Sequence, residues 1–398
     1  MPNKELTKFL LLPKLELTEF HNIEKTNSIL YHCNTTQKTQ YCPHCGLETS
    51  KVHDRRVIKI KDAPQTGRNK ILKITKKRFR CTGLGCKKVF TECIQGIAKR
   101  ARVTERMNRE ILYTCDKFSN MKQVSKHTNL GNKTIYKKHY RQLELKWRER
   151  KDDPWPRTVG IDEHSWLKNK KYGYREFATV VVDYNNKRVK ELIPGRIAGQ
   201  LAQSLAYIPG RERVKNVVMD LSKPYKSFAK DFFPNAKLIA DKFHVVRLLN
   251  PTINKYRKQI TGDKRKNPIR KLLLKSSIKL DYDTRRMIEK WLKDHPDLES
   301  IYYAKEAIMK LYRCKGRNRA SRSLTKLTDI LALSKVKELQ TLRRTLMTWR
   351  EEILNYFENR ITNARTEGYN NVCKQLQKRA YGYRNFNNYR LKVLNVCC

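Results

Sequence analysis

The sequence predicts an α/β core split by an all-α insertion and preceded by two small N-terminal domains. Three observations carry that reading. Residues 158–250 alternate apolar strands with helices, residues 251–355 show helical periodicity with almost no strand signal, and six of the eleven cysteines fall within residues 33–93. The 398 residues, 39% of them apolar, suffice for two or three cores. Five segments follow: 1–95, 96–150, 151–250, 251–355 and 356–398. The charged, proline-bearing stretch RERKDDPWPR at 148–157 reads as a linker.

Charge restricts what such a chain can do. It carries 88 Lys and Arg against 38 Asp and Glu, a formal net charge of +50. A balance this extreme points to a polyanionic partner, above all nucleic acid. The opening MPNKELTKFLLLPKLELTEF has one short apolar run broken by Pro13 and no small-residue cleavage site, so no signal peptide is expected. No stretch reaches the length of a membrane span, so no membrane partner and a cytoplasmic location are expected. In that compartment clustered cysteines bind metal more readily than they form disulfides.

The first segment, 1–95, reads as a zinc ribbon. Cys42 and Cys45 form a Cys-x-x-Cys knuckle whose turn is completed by Gly46, and Cys81 and Cys86 form a wider pair in FRCTGLGCKKVF. Four thiolates make a closed tetrahedral set suited to structural Zn2+ and leave no open position for catalysis. Cys33, His44, His53 and Cys93 are spare donors. Between the pairs run Arg55, Arg56, Lys59, Lys61, Arg68, Lys70, Lys73, Lys76, Lys77, Arg78 and Arg80, with few acids to offset them, so DNA contact is expected.

The second segment, 96–150, reads as a helix-turn-helix DNA-binding domain. TERMNREILYTCDKF is a first helix, and MKQVSKHTNL a short second one ended by Gly131. NKTIYKKHYRQL at 132–143 is the recognition helix. Tyr136, Tyr140 and Leu143 recur at helical spacing and are expected to face inward. Lys133, Thr134, Lys137, Lys138 and Arg141 then face a DNA groove.

The third segment has the clearest pattern. TVGIDEHS is an apolar strand ending on an acid. REFATVVVDY and RVKELIPG form a hairpin around Asn185, Asn186 and Lys187. GQLAQSLAYI is a helix, and VKNVVMDL a buried strand again ending on an acid. A helix with Pro224 in its first turn follows, then AKLIADKFHVV, a strand running into a helix. Three antiparallel strands followed by crossovers to parallel ones is the ribonuclease-H-like layout. In it the first and fourth strands are neighbours, so Asp162 and Asp220, expected at their ends, converge. Glu367, the one acid among seven basic residues in 364–392, opens a later helix. Three converging carboxylates in so basic a chain suit Mg2+ or Mn2+ and phosphodiester chemistry. Asp241 and His244 form an Asp-x-x-His pair beside that site, as phosphate-contacting or supporting residues, or as a helix cap with a packed histidine. Glu163 and Asp183 are rival acids, with Asp183 expected at the far end of the sheet.

Here the chain resembles the ISL-three family of bacterial insertion-sequence transposases. The matching pieces, in family order, are CPHCG with CTGLGC, VGIDEHS, VVMDLSKPY, IADKFHVVR and ARTEGYNNVCKQLQKRAYGYRNFNNYRL. The resemblance implies a DDE transposase, named for its Asp-Asp-Glu catalytic acids, with a zinc ribbon, a helix-turn-helix, and a ribonuclease-H-like core interrupted by a helical insertion. Asp162, Asp220 and Glu367 take the roles of the three acids, and Asp241 with His244 match the family's Asp-x-x-His element. It implies an enzyme that binds the terminal inverted repeats of its element, cuts there and joins the ends to target DNA. Double-stranded DNA is then the partner, a homodimer holds two ends, and the setting is the bacterial nucleoid. Within the insertion, residues 253–279 carry ten basic residues and one acid, so Lys264, Arg265 and Lys266 are expected on DNA backbone. The rival expectations are a non-catalytic zinc-ribbon and helix-turn-helix regulator, and a structure-selective DNA nuclease.

Overall fold

The computed structural model describes residue 7 and residues 12–118, 120–168, 175–262 and 268–398. Lys264, Arg265 and Lys266 lie outside the described residues. The chain divides into two units, 1–145 and 146–398.

The first unit is built on more sheet than a small ribbon needs. Strands β1 (Leu15–Ile23), β2 (Ser28–Thr35), β5 (Val52–Gln65), β6 (Arg68–Arg80) and β7 (Val89–Thr91) form one sheet, with the order β1-β2-β6-β5 and β7 on β6. Strands β3 (Gln40–Tyr41) and β4 (Glu48–Thr49) form a separate pair at the cysteines. Alternate residues Lys70, Leu72 and Ile74 of β6 turn inward, and the two apolar ones pack with Leu15, Leu17, Cys33, Ile60, Ile94 and Ile97. Two of its strands run to 14 and 13 residues. The parallel pairing of β2 with β6 is non-local and has no short-range sequence signal.

Several of the expected DNA-facing cations are used internally. Lys70 is buried, 3.6 Å from Asp62, which also takes Arg106 and the Thr104 hydroxyl. Burial alone would raise the Asp62 carboxyl, but those donors hold it below its ordinary range. Lys77 Nζ donates to the carbonyls of Thr35 and Gln37 at 3.2 and 2.9 Å. Arg78 pairs with Asp54 at 2.8 Å. Arg55, Arg56, Lys59, Arg68 and Arg80 remain exposed.

Three helices complete the unit: α1 (Glu105–Lys117), α2 (Met121–Thr128) and α3 (Asn132–Arg148). Thr104 caps α1 by accepting from Met107 N, and Asn120 caps α2 by accepting from Gln123 N. Asn129 ends α2 at φ 51°, a left-handed cap that asparagine tolerates. The inward stripe of α3 is Ile135, His139 and Leu143. Tyr136 is 43% exposed, which corrects the expectation that it faces in. The 135/139 and 136/140 stripes both lead to Leu143, and the one carrying the more apolar Ile135 is buried. Lys133, Thr134, Lys137 and Arg141 are exposed, and Lys138 is half-buried.

The second unit opens on the expected linker, but Trp155 there is buried against Phe232 and Phe233, so the segment is docked. Strands β8 (Thr158–Lys168), β9 (Arg175–Asp183), β10 (Arg188–Pro194), β11 (Asn216–Met219) and β12 (Lys237–Ala240) form a sheet ordered β10-β9-β8-β11-β12. The first three strands are antiparallel, and β11 lies parallel to both β8 and β12. Helices α4 (Ala198–Leu205), α5 (Lys223–Phe232) and α6 (Lys242–Val246) supply the crossovers and the exit from β12.

The insertion follows as α7 (Asn250–Thr261), α8 (Ile269–Leu274), α9 (Tyr282–Lys293), α10 (Pro296–Leu311), α11 (Arg317–Ala332), α12 (Lys337–Thr348) and α13 (Arg350–Asn359). Its apolar faces are continuous with the core on one sheet face, and α13 returns beside β12, where Asn355 Nδ2 donates to Leu238 O at 2.8 Å. Helices α14 (Ala364–Arg379) and α15 (Phe386–Val396) cover the other face, over Ala178, Val180, Val182, Val189 and Leu192. No described helix is long and apolar enough to cross a membrane.

Candidate active site

Two carboxylates meet where the parallel pairing of β8 and β11 stops. The last rung joins Ile161 to Met219, so Asp162 and Asp220 are the next residues on adjacent strands. Asp162 does not end its strand as expected. The antiparallel ladder with β9 carries β8 on to Lys168, well past its short parallel neighbour. Asp162 is 8% exposed; its Oδ1 accepts from Glu163 N at 2.7 Å and its Oδ2 from Asn370 Nδ2 at 2.8 Å. Asp220 Oδ1 is buried with no hydrogen-bond partner.

Helix α14 lies along one face of β8. Gly160, Asp162 and His164 alternate onto that face. A Cβ at Gly160 would stand 2.3 Å from Thr366 Oγ1 and 2.6 Å from Tyr184 Cε1, so only glycine permits the approach. Asp162 meets Asn370, one turn further along, and His164 Nε2 lies 2.7 Å from the Tyr389 hydroxyl. Gln377 Nε2 donates to Trp166 O at 2.6 Å. Thr366, Asn370 and Gln377 thus form one stripe seated along β8, and Glu367 flanks it in the first turn of α14.

The helix start is braced from two sides. Asn363 N donates to Asp241 Oδ1 at 2.8 Å, and Asn363 Nδ2 to Ile161 O at 3.3 Å. The Tyr184 hydroxyl donates to Thr362 O at 3.0 Å and lies 3.1 Å from Thr366 Oγ1. Asp241, 1% exposed, also caps α6 through Phe243 N and His244 N. It is therefore both a cap and a strut that sets the α14 start. His244 is exposed rather than packed on the sheet, with Nδ1 3.2 Å from Asp241 Oδ2.

The charges respond to this crowding. Burial, and then the Asp162 charge, push Asp220 up to about 6. Asp162 is also raised, by burial and by the charges of Glu367 and Asp241, although the Glu163 N–H and His244 oppose the shift. His244 is raised, through its hydrogen bond to Asp241 and the charges of Asp220 and Asp162. Burial raises Asp241 less than its hydrogen bonds from His244 and Asn363 lower it. A carboxylate cluster that repels itself, with an unpaired buried oxygen on Asp220, is the donor chemistry of a hard divalent cation.

The rival acids go elsewhere. Asp183 sits opposite Val159, at the end of the sheet away from the site, and holds the β9–β10 turn through Asn186 N and Nδ2 at 2.9 and 2.7 Å. Glu163 pairs with Arg196 at 2.8 Å. Gly160, Asn363 and Asn370 were not singled out from sequence. The signals were present, a glycine inside an apolar strand and a polar stripe at helical spacing around Glu367.

In the first unit the four cysteines assemble as expected. Cys42 and Cys86 Sγ lie 3.8 Å apart, Cys45 and Cys81 Sγ 3.5 Å apart, and all four sulfurs fall within 4.8 Å of one another. A Zn–S bond of about 2.3 Å gives a tetrahedral edge of roughly 3.8 Å, so the set fits structural Zn2+. Gly46 and Gly85 turn at φ 75° and 85°, the left-handed conformations that close the two knuckles. Although burial raises the Cys42 thiol, backbone N–H groups of His44 and Cys45 help bring it down to about 7. Of the spare donors, Cys33 belongs to the sheet core, where burial pushes it up to about 11. His44, His53 and Cys93 are exposed and lie outside the four-sulfur set.

Known proteins match the chain in both units. Residues 38–86 match the family described as the zinc-finger of transposase IS204/IS1001/IS1096/IS1165. Residues 159–393 match the ISL3 DDE family, described as transposase. The chain is 24% identical over 371 residues to the transposase for insertion sequence element IS1001 of Bordetella parapertussis, covering 90% of this chain and 89% of that protein. The chain belongs to the ISL3 family of DDE transposases.

Proposed function

We propose that this transposase binds the terminal inverted repeats of an insertion sequence and performs strand cleavage and strand transfer at Asp162, Asp220 and Glu367. The observation that carries the reading is the seating of α14 on Gly160, which brings Glu367 within electrostatic reach of Asp162 beside Asp220. The strand order and the helix after the insertion support a ribonuclease-H-like core.

The three carboxylates would hold two Mg2+ or Mn2+ ions, which supply activation of the attacking oxygen and stabilisation of the leaving oxygen. Asn370 and the Glu163 N–H fix the plane of the Asp162 carboxylate. Asp241 fixes where α14 begins, and therefore where Glu367 stands. His244, its cationic form favoured by three nearby carboxylates, faces outward and is placed to meet a phosphate of the DNA.

End recognition would belong to the first unit. The α1–α3 segment acts as a helix-turn-helix, with Lys133, Thr134, Lys137, Lys138 and Arg141 toward the groove. The β5–β6 hairpin adds backbone contacts. Its register sets Arg56 opposite Lys76 and Lys59 opposite Lys73. Such like-charge pairs destabilise a bare hairpin, and an external polyanion would relieve the repulsion. Lys264, Arg265 and Lys266 add phosphate contacts from the insertion. A homodimer would hold two ends at once, within the nucleoid of a bacterial cell.

The test is to incubate the protein, Mg2+ and a labelled element end and to score nicked and joined products. Both products should appear, and Asp162→Asn should lose both while keeping DNA binding. End binding with no cleavage would make the protein a regulator. Cleavage of branched DNA without joining would make it a nuclease. Cleavage surviving in Asp162→Asn would remove the site assignment.

A further inference from the structure

A second donor cluster lies in the first unit, on the strands that precede the first cysteine knuckle. Glu19 on β1 stands directly opposite His32 on β2, and His21 lies two residues from Glu19 on the same strand. Positions i and i+2 of a strand share a face with the residue opposite, so the three side chains converge on one surface. Their donor atoms lie within 4.8 Å of one another. His21 Nε2 is 2.9 Å from Glu19 Oε1, and the His21 and His32 rings meet edge-on with centroids 5.3 Å apart.

The local backbone is irregular at this point. The pairing of β1 with β2 shifts between Leu17 and Glu19, and Thr18 Oγ1 donates across to His32 O at 3.1 Å. A bulge of this kind re-aims the side chains beside it. In the order β1-β2-β6-β5, Glu19 and His21 lie on the edge strand β1, while His32 lies on β2, opposite Lys73 of β6.

We propose that Glu19, His21 and His32 form a solvent-facing site for a divalent late transition ion, with Zn2+ as the ligand. Two imidazoles and one carboxylate favour Zn2+ over Mg2+, which takes oxygen donors and keeps its waters. Three protein donors leave a position open, unlike the closed four-thiolate set. The proposal stands independently of any role in DNA cleavage.

The experiment is calorimetric titration of Zn2+ into tag-free, full-length protein whose cysteine site is already zinc-replete. Wild type should take up one further equivalent. His21→Ala and His32→Ala should each weaken that event by at least about tenfold. Glu19→Gln should weaken it less, and His53→Ala, which removes an exposed histidine elsewhere in the unit, should leave it unchanged. Retained zinc at the cysteine site shows that each variant is folded. The exposed thiols are common to all these proteins, so they cancel in the comparison. The absence of a further event in wild type, or an event unchanged in His21→Ala and His32→Ala, would overturn the site and leave only a surface Glu–His pair.

Discussion

Replacing Gly160 with alanine is a direct way to pull the proposed site apart without touching an acid. The new Cβ would lie 2.3 Å from Thr366 Oγ1 and 2.6 Å from Tyr184 Cε1, where ordinary contact begins near 3.4 Å. The shortfall of about 1 Å falls on two groups that are themselves hydrogen-bonded, at 3.1 Å, and cannot easily rotate away. The start of α14 must therefore retreat from β8 and take Glu367 with it. Overpacking of this kind costs about 1–3 kcal/mol of stability. A displacement near 1 Å at a reacting centre costs about 100-fold in rate. Strand cleavage on a labelled end, measured beside DNA binding and zinc content, should fall by about two orders of magnitude with the latter two unchanged. Adding Thr366→Ala removes the nearest clashing atom and should restore part of the rate. Cleavage within about threefold of wild type in Gly160→Ala would refute the claim that this close approach sets the position of Glu367.

Other perturbations read different parts of the account. Asn370→Ala removes a donor to the buried Asp162 carboxylate, a bond of about 1.5–3 kcal/mol, so the Mg2+ concentration for half-maximal cleavage should rise about 10- to 100-fold; an unchanged Mg2+ requirement would show that Asn370 plays no part in orienting Asp162. Asp220 titrates near 6 in the fold against about 3.9 unfolded, so its protonated form stabilises the protein below pH about 4 and that contribution is lost as pH rises through about 6. Without divalent ions, Asp220→Asn should gain on wild type by up to about 3 kcal/mol between those limits in thermal melts; equal profiles would contradict the crowding of Asp220. Cys81→Ser should release zinc and abolish end binding while the unit from residue 146 onward keeps its own unfolding transition by calorimetry; retained zinc would contradict the four-sulfur site.

What was legible in the sequence was local. The β-branched runs around the Asn185–Asn186 turn, and the acids closing VGID and VVMD, were enough to expect the strand order and the meeting of Asp162 with Asp220. The cysteine spacings anticipated the four-sulfur set. What escaped depends on distant partners. Gly160 matters because residue 366 arrives against it, and Asn370 because its helix registers on β8. The long hairpin of the first unit was obscured because its outward positions are mostly Lys and Arg, which look like a charged loop. Tyr136 was misjudged because two helical stripes one residue apart share Leu143, and burial picked the one with Ile135. Asp241 could be recognised as a cap, but its bond to Asn363 spans 122 residues and could not be foreseen.

The most direct measurement is a crystal soaked in Mn2+ and recorded at the manganese absorption edge. The account predicts two anomalous peaks about 4 Å apart, with Asp162, Asp220 and Glu367 around them. Peaks that leave Glu367 uncoordinated, or no peak between the two aspartates, would contradict it.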